Sequence, residues 1–119
     1  ALLLLALPAA AAPNRPPADN TYCATNDTAS WDSLRVTFSI APPDGTAPVE
    51  RSLDVARGQS PCFVARPGRV SITASQSGMR ACRASREASE GQLRVSVRVS
   101  STTIDGFNSI TPALACAME

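Results

Sequence analysis

From Ser33 to Ala41 the chain alternates: Leu34, Val36, Phe38 and Ile40 are apolar, and Arg35, Thr37 and Ser39 between them are not. A period of two, rich in β-branched residues, predicts a strand with one buried face. The pattern returns over 69–75, with Val70, Ile72 and Ala74 inside. It is cleanest over 92–100, with Leu93, Val95, Val97 and Val99 inside. Residues 49–56 alternate less cleanly, because Arg51 shares a face with Val49, Leu53 and Val55, as suits an edge strand. Residues 62–65 form a short apolar run, and 110–116 suggest a last strand. Turn signals separate these segments: Asp44-Gly45, residues 56–61, Pro67-Gly68 and Gly78. The stretch 78–91 is ambiguous, since its Ala, Arg and Glu also favour a helix. Six to eight short antiparallel strands with Gly/Pro turns and no long helical pattern predict an all-β sandwich.

The start of the chain reads differently. Residues 1–12, "ALLLLALPAAAA", are too short an apolar run for a membrane-spanning helix, and they end in small residues. This is the pattern of a secretory signal peptide that lacks its first residues. Residues 13–21 carry three prolines and no periodicity, which predicts a flexible arm. The globular domain is then expected over 22–119, in a secreted protein, extracellular or periplasmic.

Four cysteines, Cys23, Cys62, Cys82 and Cys116, behind such a leader predict two disulfides. Of the three possible pairings, Cys23–Cys116 with Cys62–Cys82 is the expected one. It would tie the domain ends together and clip a local hairpin. A zinc site fits poorly, because there is no CxxC pair and no histidine.

All eleven basic residues are arginine, so the chain has neither lysine nor histidine. A Ser-His-Asp or Cys-His machine cannot be built, and no GxSxG or glycine-rich phosphate loop is present. The chain is therefore read as no enzyme, with no catalytic residue, no cofactor and no metal. Net charge is +1, yet eight arginines fall between Arg57 and Arg98 against only Glu87 and Glu90. On the last predicted strand Arg94 and Arg98 share the polar face, about 13 Å apart. With Arg69, Arg80 and Arg83 they make a candidate anion-binding surface for an acidic polysaccharide, or else a solvated face that discourages edge pairing. Nucleic acid is not expected, since no aromatic residues interleave with the arginines.

Two further sites follow. Asn26-Asp27-Thr28 is a glycosylation sequon, with Tyr22 and Trp31 nearby as a sugar platform or, more ordinarily, as core. Arg57-Gly58, upstream of Cys62, is a candidate inhibitory loop.

The segment "RPGRVSITASQSGMRACRASREASEGQLRVSVRVS", with "VTFSIAPPDGTAPV" upstream, resembles a carboxypeptidase-regulatory-like, transthyretin-type β-sandwich. The resemblance rests on Pro67-Gly68, the strand after it, Gly78, the closing alternating strand and the Asp44-Gly45 turn. It implies a small Ig-like or transthyretin-like sandwich acting as an accessory or interaction domain. The expected function is a non-catalytic interaction module that binds a protein or an anionic polymer. The alternative is a small inhibitor or effector acting through a disulfide-clipped loop.

Overall fold

A computed structural model describes residues 18–29, 31–77, 80–106 and 109–119, with the backbone alone at 109 and 111. The expected signal peptide, residues 13–17 of the arm and the Gly78 turn lie outside the described residues. The chain folds as eight strands: β1 (Asn20–Asp27), β2 (Ser33–Ala41), β3 (Val49–Ala56), β4 (Cys62–Ala65), β5 (Gly68–Ser75), β6 (Cys82–Ala88), β7 (Arg94–Gly106) and β8 (Ser109–Met118). They form two four-stranded sheets, ordered β4-β1-β7-β8 and β3-β2-β5-β6. All pairings are antiparallel except β1 with β7, which run parallel from Thr21↔Arg94 to Asp27↔Ser100.

The alternation in the sequence becomes the interior. Leu34, Val36, Phe38 and Ile40 are fully buried on β2, and register places Val36, Phe38 and Ile40 opposite Ala74, Ile72 and Val70 of β5. Tyr22, Ala24, Val95, Val97 and Val99 of the first sheet complete the core. Burying each large side chain contributes about 1.5–3 kcal/mol. Tyr22, Phe38 and Phe63 form an aromatic knot, with ring centroids 5.1 to 6.2 Å apart.

Both glycine turns are in place, for different reasons. Gly45 has φ +83° in the β2–β3 loop, a conformation that costs glycine little. There Asp44 accepts hydrogen bonds from the Thr46 N–H and hydroxyl, and these, the N–H foremost, hold its carboxyl below the ordinary range. Gly68 has ordinary φ, but a Cβ there would collide with the Ala41 carbonyl, so the turn needs a residue with no side chain.

Two expectations are corrected and one ambiguity is resolved. The strand β1 begins at Asn20, inside the stretch expected to be a flexible arm, and lies between β4 and β7. Residues 82–88 are a strand, because Cys82, Ala84 and Ala88 fall on its inward phase and the backbone pairs with β5 from Gly68 to Ala74. The disulfides are Cys23–Cys62 and Cys82–Cys116. Strand order explains this: Cys62 on β4 and Cys82 on β6 lie at opposite edges of the sandwich. Cys23 faces out of its sheet while Cys116 packs against the core, so the expected partners cannot meet. Cys23–Cys62 ties neighbouring strands within one sheet, and Cys82–Cys116 joins the edges of the two sheets. Loops of 39 and 34 residues give about 4 kcal/mol each in the chain-entropy model.

Candidate functional site

The arginines do not form one surface. Arg94 and Arg98 project from the outer face of the first sheet. Arg69 lies on β5 in the other sheet, so it cannot join them. There it pairs with Glu87 at 3.5 Å, while Arg83 sits beside Thr73. Arg80 is exposed ahead of β6, where its carbonyl accepts the Leu114 N–H at 3.1 Å. Arg98 meets two carboxylates, Asp27 at 3.3 Å and Glu119 at 3.8 Å. Among the described residues, Arg94 is the cation of that face with no carboxylate in ion-pair range. Its Nη2 lies 3.8 Å from Cys62 Sγ instead, over the Cys23–Cys62 disulfide.

The candidate loop at Arg57-Gly58 is built but not free. Gly58 takes φ +79°, and its N–H donates to the Asn26 carbonyl. The Arg57 side chain turns back, donating to the Ala29 carbonyl at 3.0 Å and to Asp32 at 2.6 Å. The Arg57 side chain is held against Ala29 and Asp32. The clip at Cys62 comes from Cys23, behind the loop.

The asparagine of the sequon lies inside the fold. Asn26 is fully buried, and its amide donates to the Val55 carbonyl at 3.0 Å and to the Trp31 carbonyl at 3.2 Å. Its oxygen accepts from the Thr28 N–H and hydroxyl. A glycan on Nδ2 would replace one of these two donor hydrogens at a fully buried atom, which sets the folded domain against carrying one there. Asn20, at the other end of β1, plays the matching part. Its amide donates to the Ala88 carbonyl and to the Tyr22 hydroxyl, and its oxygen accepts the Leu93 N–H. Tyr22 in turn donates to the Arg66 carbonyl at 2.8 Å, and burial above all raises its pKa. Tyr22 is thus core and excluded from a sugar platform. Trp31 is half-buried against the core.

One feature had no signal in the alternation. Beyond Ser100, where β1 ends, β7 has β8 as its one partner among the described residues, and Ser101–Gly106 are all exposed. This distal ribbon carries Ile104 and Ile110, 37% and 70% exposed. At its base, Trp31, Ser101, Thr102, Thr103 and Pro112 line an open groove of about 420 Å³. The run of Thr, Ile and Pro from 102 to 112 was the available clue. No protein-family model, curated protein or solved structure matches the chain.

Proposed function

We propose that the chain is a secreted, non-catalytic interaction module of transthyretin-like architecture that meets a protein partner through the distal β7–β8 ribbon. One observation carries this reading: two large apolar side chains, Ile104 and Ile110, stand in water at the far end of a ribbon that, among the described residues, no third strand flanks there. A two-stranded ribbon is marginal by itself in water, and exposed apolar surface of this kind marks interaction sites. The Trp31 groove beside it offers an aromatic wall and hydroxyls to a peptide segment. The eight strands and the Asp44-Gly45 and Pro67-Gly68 turns support the architecture, and two disulfides support secretion.

The test is affinity capture from the extracellular fluid of the source, with the wild type beside Ile104→Asp plus Ile110→Asp. Proteins retained by the wild type and lost by a variant that melts like it support the reading. Identical retention by both sinks it. An anionic polymer is the second reading, favoured by the carboxylate-free Arg94. The division of the other arginines between opposite faces weighs against it.

A further inference from the structure

The Cys23–Cys62 disulfide lies in the outer layer of the first sheet, and its two sulfurs differ in access. Cys23 sits on the inner strand β1 and is 2% exposed. Cys62 is exposed and opens β4, the edge strand, with no further strand beyond it among the described residues. Thiol–disulfide exchange is an in-line displacement: the attacking thiolate must approach a sulfur from the side opposite its bonded partner. Cys62 offers its sulfur at the open edge of the sheet, whereas Cys23 is buried on an inner strand. The Arg94 guanidinium, 3.8 Å from Cys62 Sγ, puts a positive charge beside the sulfur under attack, where negative charge spreads over three sulfurs in the transition state. The other disulfide lacks this arrangement. Cys82 and Cys116 are half-buried and packed against the core between the sheets.

We infer that Cys23–Cys62 is a thiol-exchange site, opened by attack of a low-molecular-weight anionic thiolate on Cys62 Sγ, with Arg94 as a positioning residue. In the first step the thiolate sulfur bonds to Cys62 Sγ. The Cys23–Cys62 bond breaks, and its electron pair leaves on Cys23 Sγ, which takes a proton from water. The number of disulfides is unchanged, and Cys62 carries the external thiol. A second thiolate can then attack the external sulfur of this mixed disulfide. That releases the small-molecule disulfide and leaves Cys62 as a thiolate, two electrons having passed to the protein. Exchange leaves β4 paired to β1 over four residues, with Phe63 still in the aromatic knot.

The full chain, both disulfides intact, would be incubated with reduced glutathione under native conditions, quenched with acid, alkylated and mapped by mass spectrometry. The expected result is Cys23 and Cys62 labelling at least about tenfold faster than Cys82 and Cys116, with glutathione adducts on Cys62. Simultaneous opening of both disulfides, prior opening of Cys82–Cys116, or adducts on Cys23 would overturn the inference. Arg94→Gln is expected to slow glutathione by roughly three- to tenfold, and to slow cysteamine much less, because its ammonium offsets the thiolate charge. Equal slowing of both reagents, or of neither, removes the role of Arg94. In the wild type, added salt should slow glutathione more than cysteamine, a check that needs no variant.

Discussion

The guanidinium of Arg51 lies 4.8 Å from the centroid of the Phe63 ring. This contact spans the open side of the sandwich, from β3 in one sheet to β4 in the other. It explains the one residue that broke the alternation of β3. Arg51 points inward at an edge, over the Phe63 ring, with Val49 two residues along the same face 43% exposed. An inward-pointing charge on an edge strand also discourages pairing with another chain. Arg51→Ala should cost about 1 kcal/mol in urea unfolding, and Arg51→Lys should recover part of that. An unchanged midpoint in Arg51→Ala would remove the contact from the account.

Asn26 donates to two backbone carbonyls, those of Val55 and Trp31. Asn26→Ala leaves the Val55 and Trp31 carbonyls and the Thr28 N–H without it, and should destabilise by about 2–4 kcal/mol at unchanged m-value. Wild-type domain expressed through a eukaryotic secretory route should have the mass of the bare polypeptide. A glycan found on Asn26 of folded protein would contradict the buried position.

The pH dependence should be unusually flat. The chain has no histidine and no lysine to titrate between the carboxylates and its one tyrosine. The Tyr22 pKa is raised from 10.0 by burial, so the folded state holds that proton more tightly than the unfolded chain. Its contribution is complete below pH 10.0 and is lost as pH rises through the folded value. Asp44 has a lowered pKa, so its contribution is present above pH 3.8 and fades as pH falls through the folded value. Unfolding free energy measured from pH about 5 to about 9 should therefore be nearly constant. Tyr22→Phe should lower the plateau by about 1–2 kcal/mol and flatten its alkaline fall.

Arg94 and Arg98 are exposed, and the ion pairs of Arg98 have both partners about half exposed. Arg94→Ser plus Arg98→Ser should change stability by less than about 1 kcal/mol. The wild type should leave heparin resin below physiological salt, because its arginines are divided between two faces and Arg35, Arg57, Arg66, Arg69 and Arg98 are paired with carboxylates. Retention well above that, lost in the double variant, would restore the anionic-polymer reading.

Much of the sandwich was legible because β2, β5 and the first half of β7 bury one face each, and period-two alternation records that directly. The strand β1 was not legible. Two of its inward positions are Asn20 and Asn26, so polar residues occupy places where the pattern demands apolar ones, and hydrogen bonds rather than apolar burial seat them. The same fact made Asn26 look like a surface sequon and Asn20 like part of an arm. The disulfide pairing failed because it was argued from position along the chain, whereas strand order decides which cysteines are neighbours. The ribbon beyond Ser100 escaped because exposed strands leave no burial pattern to read.

The placement of β1 also dictates an order of events. Asn20 bonds Leu93, 73 residues away, and β1 lies between β4 and β7. As the chain emerges from a ribosome or a translocation pore, its first strand has no complete berth until the seventh has followed. Pairings this remote in sequence are slow to form. The β2–β3 and β5–β6 hairpins can assemble early, but the centre of the first sheet must wait, with Tyr22 and Cys23 exposed in the meantime. Synthesis therefore leaves an interval in which a half-made molecule is open to wrong thiol partners, and the berth of β1 is complete only once β7 is out.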